Sequence, residues 1–121
     1  MASTDSSTPA PPKLLSLTVN DREALYRSYM GFIQYGALFV ASDQPHHLGD
    51  PIFILLKLSL GDSGERLSIS GRVVWITPAG APGRRPQGVG VQFKPPESAE
   101  LQRKFEALLA GHDATASTYT I

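Results

Sequence analysis

The reactive side chains of this chain are few and their spacing limits what they can do. There is no cysteine, which excludes disulfides, thiolate catalysis and cysteine-ligated zinc. His46 and His47 are adjacent, so in extended chain they point apart. Asp43 and Asp50 lie nearby, but the set has no metal-site spacing, and no metal or cofactor is expected. Arg84 and Arg85 form a basic doublet in a Gly/Pro-rich stretch. Such a doublet can grip a phosphate or an acidic partner, and more often is simply solvated. Gly61-Asp62-Ser63-Gly64 has the composition of a hairpin turn. There is no Gly-x-Ser-x-Gly elbow and no phosphate-cradling glycine loop ahead of a Lys-Ser/Thr helix. The carboxylates are scattered rather than paired, so no acid/base dyad can be drawn. The expectation is a binding protein and not an enzyme.

The elements that must position these residues belong to one domain. The 121 residues suffice for a single core, and 41% of them are hydrophobic. Eleven basic residues balance eleven acidic ones, which gives no global attraction to nucleic acid or to an anionic membrane. Residues Met1 to Pro12 carry neither a basic n-region nor an apolar h-region, and the longest apolar run, Ile52 to Leu56, is too short to cross a bilayer. A cytoplasmic chain that does not insert into membranes follows as the expectation. Residues 1–12 read as a disordered arm and 112–121 as a flexible tail, leaving a domain over 13–111.

Eleven glycines and ten prolines favour short strands and turns. Leu15, Leu17 and Val19 alternate with Ser16 and Thr18, the period of a half-buried strand. Asn20 with Glu23 has the form of a capping box opening a helix to about Met30. Leu25, Tyr29 and Phe32 form one stripe of that helix, Tyr26 and Met30 another. Four strand-like runs follow: Gly36 to Val40, Ile52 to Leu60, Leu67 to Thr77 with a bulge or bend at Gly71, and Gly88 to Phe93. On the second of these, Ile54, Leu56, Leu58 and Leu60 share one face while Phe53 and Leu55 point to the other. Leu101, Phe105, Leu108 and Leu109 recur at helical spacing after Pro95-Pro96, and Gly111 ends that helix. The pattern predicts a mainly β fold: a small antiparallel barrel, closed or nearly so, with a short N-terminal helix and a C-terminal amphipathic helix.

Gly36-Ala37-Leu38-Phe39-Val40, Gly71-Arg72-Val73-Val74-Trp75 and Gly88-Val89-Gly90-Val91-Gln92-Phe93 occur in that order. Together they resemble the PilZ domain family over roughly residues 14 to 111. The best-known activity of that family is binding cyclic di-GMP, through an Arg-x-x-x-Arg motif and an Asp/Asn-x-Ser-x-x-Gly motif. Here Arg22 and Arg27 are spaced one residue too far apart. With Gly36 as the motif glycine, the Asp and Ser positions hold Gly31 and Ile33. With Ala37 there, they hold Phe32 and Gln34. The fold carries over and the ligand is withheld; the alternative is a cyclic di-GMP receptor with a divergent site, for which Arg22, Arg27, Arg84 and Arg85 are the available guanidinium groups.

The runs Ala24 to Met30 and Trp75 to Gly80 resemble the short, stand-alone PilZ branch needed for type IV pilus biogenesis. That resemblance implies an adaptor whose partners are the pilus-extension ATPase and a scaffold protein with a degenerate EAL domain that itself binds cyclic di-GMP; on its own the chain is expected to be a monomer. Tyr26, Met30, Phe53, Leu55 and Trp75 are the candidate interface residues, because aromatic residues and Met are enriched at protein contacts. Each has a bland alternative as core. For Trp75, alternation places it with Leu67, Ile69 and Val73 unless a bulge at Gly71 breaks that register.

Overall fold

The computed structural model describes residues 13–60 and 63–110, the side chains of Ser63 and Arg84 excepted. The expected arm (1–12) and tail (112–121) lie outside these residues, as do Gly61 and Asp62 of the expected hairpin turn. The elements run β1 (Lys13–Val19), α1 (Arg22–Ser28), β2 (Ala37–Ala41), β3 (Pro51–Leu60), β4 (Ser63–Thr77), a one-turn 3₁₀ helix (Pro82–Arg84), β5 (Gly88–Phe93) and α2 (Glu97–Leu109).

The five strands form one curled sheet in the order β1-β3-β4-β5-β2, a half-barrel with two helices. The mainly β architecture is thus the one the sequence predicts. One pairing differs. β1 runs parallel to β3, because the chain passes through α1 and β2 before returning beside β1. The remaining pairs are antiparallel.

Alternation decides the faces. On the inner side, Leu15 lies beside Ile54 and Val19 beside Leu58, while Ile54 pairs Ile69 and Val73 pairs Val91. All of these are buried in one core with Leu25 and Phe105 from the two helices. Each such aliphatic side chain contributes about 1.5–3 kcal/mol relative to leaving it in water. Phe105 is fully buried and meets Phe93 and Tyr29 at ring-centroid distances of 5.7 Å in both cases. This aromatic group clamps α2 onto the sheet.

The start and end of α1 differ from expectation. Asp21, not Asn20, caps it: its Oδ1 accepts from the Ala24 N–H at 2.7 Å. Glu23, freed from a capping box, pairs with Arg27 one turn on. The helix stops at Ser28 because Tyr29 turns extended and bridges to Leu38, and Met30 N–H donates to the Ala37 carbonyl at 2.8 Å. Gly71 is no bulge. It pairs in register with Ile52 on one side and Phe93 on the other. It must be glycine because a Cβ there would stand 2.1 Å from the Gln92 carbonyl oxygen. The bulge lies three residues later, between Val73 and Trp75.

Candidate functional site

The bulge decides the fate of Trp75. Unbroken alternation would drive it into the main core behind Val73. The extra residue, Val74, instead puts Trp75 opposite Gly90, on the outer face of the sheet. Gly90 leaves a gap there. A Cβ on it would lie 2.7 Å from Met30 Sδ and 2.8 Å from Trp75 Cβ. Met30, Ala37 and Phe39 fill that gap as a second, smaller core, with Ile33 and Trp75 packed against them. Phe32, half exposed, sets its ring edge-on to Trp75 at 5.8 Å and 73°. The Trp75 indole N–H donates to the buried Thr77 hydroxyl at 2.8 Å.

Of the expected interface residues, Met30 is corrected outright. It is fully buried, so no partner can reach it in this fold. Sequence reasoning missed this because the cavity that takes Met30 is made by Gly90, far along the chain. Trp75 is partly exposed at the rim of the small core, and Tyr26 is half-buried on α1. Phe53 and Leu55 do point away from the main core: Phe53 is half-buried and Leu55 is 42% exposed. Leu14, 60% exposed, lies directly beside Phe53 on β1. The sequence held the signal for Leu14, since it falls out of phase with Leu15, Leu17 and Val19.

The charged candidates are mostly engaged in structure. Arg22 donates from Nε to the Leu108 carbonyl at 2.9 Å and from Nη2 to the Ala110 carbonyl at 2.7 Å. It thereby ties α1 to the end of α2, where a cation also meets the negative helix dipole. Arg27 is paired with Glu23. His46 Nε2 lies 2.9 Å from Ser42 Oγ. Burial, followed by the Lys13 charge, holds the His46 imidazole below its ordinary pKa. The His47 N–H donates to Asp50 Oδ2 at 2.8 Å. Among the described residues, no three His, Asp or Glu side chains come together as a metal would need. No described helix is long and apolar enough to cross a membrane.

One open groove of about 360 Å³ lies where β4 leaves β3 for β5. Tyr35, Arg72, Gln92 and Lys94 line it. Arg72 Nε donates to Gln92 Oε1 at 3.1 Å, and Gln92 Nε2 donates to the Gln34 carbonyl at 2.8 Å. Tyr35 holds φ 67°, a left-handed conformation unusual for a side chain of its size. Tyr35 is 42% exposed.

A family model for the PilZ domain matches residues 8–111. The chain belongs to the PilZ domain family. None of the curated proteins matches it. PilZ domains are in general non-catalytic binding domains. Within this PilZ domain, Gly36 immediately precedes β2 with φ 77°, and a Cβ there would lie 2.9 Å from Gln102 Cγ. That requirement favours Gly36 over Ala37 as the strand-start glycine. Counting back, the positions for a ligand-binding Asp and Ser hold Gly31 and Ile33, and Ile33 packs on the small core.

Proposed function

We propose that this PilZ protein is a non-catalytic adaptor in type IV pilus biogenesis. It would join the pilus-extension ATPase to an EAL-domain scaffold that binds cyclic di-GMP, without binding the nucleotide itself. The observation that carries this reading is the side chain at position 33. Where the nucleotide motif places a polar serine, Ile33 is packed against the Met30–Phe39 core. An apolar plug offers no hydrogen bond to a phosphate, and Arg22 is committed to α2 carbonyls. Apolar side chains at the surface, Phe32, Leu14 and Leu55, supply the docking area an adaptor needs.

The test is calorimetric titration with cyclic di-GMP, paired with capture of the ATPase and scaffold by the purified protein. The reading expects no heat with the nucleotide and capture of both proteins. Tyr26→Ala is expected to weaken one capture while the melting temperature holds. Saturable nucleotide binding, or failure to capture either protein, would sink it.

A second reading rests on the groove. Tyr35 offers a ring, while Arg72 and Lys94 offer cations, at a place where the backbone is held in an uncommon conformation. A cyclic di-GMP receptor with a divergent site would use these residues rather than Arg22 and Arg27. Loss of nucleotide heat in Arg72→Ala would decide for it.

A further inference from the structure

The outer face of β1, β3 and β4 has a charge pattern the neutral total conceals. Alternation and register set the outward positions: Leu14 to Thr18 on β1, Pro51 to Ser59 on β3 and Gly64 to Arg72 on β4, every second residue. These positions are apolar, hydroxyl-bearing, glycine or cationic, and none is Asp or Glu. Glu65, the acidic residue of β4, points to the other side and pairs with Lys104 of α2 at 2.7 Å. At the centre stand Leu14, Phe53 and Leu55; Lys57 and Arg66 flank them at one end and Arg72 at the other.

Lys57 and Arg66 are directly opposite each other across the β3–β4 pair, and both are exposed. Like charges in that position repel and weaken the sheet. Neither forms an ion pair with a described carboxylate. Several cations elsewhere are engaged: Arg27 by Glu23, Lys104 by Glu65, Arg22 by helix-end carbonyls and Lys13 by the Pro45 carbonyl. A sheet face that keeps a repelling pair beside exposed leucines lacks an anionic complement.

We infer that this face docks a protein partner presenting apolar side chains ringed by Asp and Glu. The inference deepens the reading of Phe53 and Leu55 as a partner surface, and rests on it. An apolar centre with a charged rim is the anatomy of protein interfaces, in which the rim sets the partner's sign and the encounter rate. Single-stranded nucleic acid would call for several stacking rings, and the three central residues offer one, Phe53.

The experiment uses the full chain and a dye-labelled peptide, Leu-Phe-Leu flanked on each side by two Glu, read by fluorescence anisotropy. A matching peptide flanked by Lys is the control. The Glu-flanked peptide binds more tightly, and its advantage fades towards about 0.5 M salt. Lys57→Glu reverses one charge and should weaken that binding about tenfold. The same change turns the repelling pair into an attractive one, so the melting temperature rises by about 1–5 °C. Leu55→Ser weakens binding without that rise. Equal binding of the two peptides, or indifference to Lys57→Glu, overturns the inference. So does a preference for anionic vesicles or single-stranded DNA over the peptide, with the same dependence on Lys57. If the peptide fails while the ATPase and scaffold are still captured, this inference falls alone. If the peptide binds and neither protein is captured, the adaptor reading falls and this one stands.

Discussion

Two apolar patches share the outer face of the sheet, and they are built in opposite ways. Around Trp75 the patch is closed. Gly90 leaves a gap, Met30 and Phe39 fill it, and Trp75 and Phe32 roof it. Around Leu55 the patch is open. Leu14 and Leu55 stand in solvent beside half-buried Phe53, among serines and cations that have no ion pair with a described carboxylate. Both patches break the rule that the outer face of a sheet should be polar, but for different reasons. The first stabilises the fold by extending the core through the sheet. The second is left open by the described residues, as a surface kept for another molecule would be.

The largest effect expected from that contrast is at Met30. Met30→Ala empties a fully buried site and should cost about 2–5 kcal/mol, read as a shifted denaturant midpoint. A loss below about 0.5 kcal/mol would mean the small core does not exist in solution, and the two patches would then be alike.

The next effect is at the roof. Trp75→Phe keeps a ring against Phe32 but removes the N–H that serves the buried Thr77 hydroxyl. Leaving that group without its donor should cost about 1–3 kcal/mol. If the variant is as stable as the parent, Trp75 is a surface residue and returns to the set of interface anchors.

These two residues also mark where the sequence stops being readable. The faces of β3 are legible because side chains alternate with period two, and Ile54, Leu56 and Leu58 are buried as the alternation requires. β5 is legible to the residue for the same reason. Trp75 is not, since the bulge at Val74 has no glycine or proline to announce it and shifts everything beyond by one face. Met30 is not, since its burial depends on a missing Cβ some sixty residues away, at Gly90. The cap of α1 fails differently. Asn20 and Asp21 are both competent, and Glu23 is at capping-box spacing from the first and ion-pair spacing from Arg27. Local chemistry supports both arrangements, and the approach of Arg22 to the end of α2 lies outside the segment. Likewise the parallel β1–β3 pair cannot be read from two alternating segments that carry no sign of direction.

The inner face supplies a reference with a pH signature. Tyr29 stacks with Phe93, tilts onto Phe105 and donates its hydroxyl to Glu106 Oε2 at 3.1 Å. Burial, then the Glu106 charge and this hydrogen bond, push its pKa well above the ordinary phenol value. The folded state therefore holds a proton that the unfolded state releases above about pH 10. The sign follows from linkage: the contribution is complete below that pH and is lost as pH rises further. Tyr29→Phe should flatten the alkaline fall of the melting temperature. An unchanged fall would assign it to other groups.

The smallest effect on stability is expected at Leu55, and it is the most informative about function. Leu55→Ser replaces an exposed side chain on a face already rich in serine, opposite Ser68. The change in unfolding free energy should stay within about 0.5 kcal/mol, because no cavity opens and no polar group is buried. Leu55→Ser with Leu14→Ser should also leave the fold intact while reducing capture of a partner. Thermal melts and pull-downs on one preparation separate the possibilities. A stable double variant that captures its partners as well as the parent would show the open patch to be idle. An unstable one would show that something of this chain already covers it, and the contrast with Trp75 would vanish. A stable variant that captures one partner and loses the other would divide the two docking surfaces between the two ends of the sheet, with β4 running from one to the other and Trp75 turned outward at its bulge.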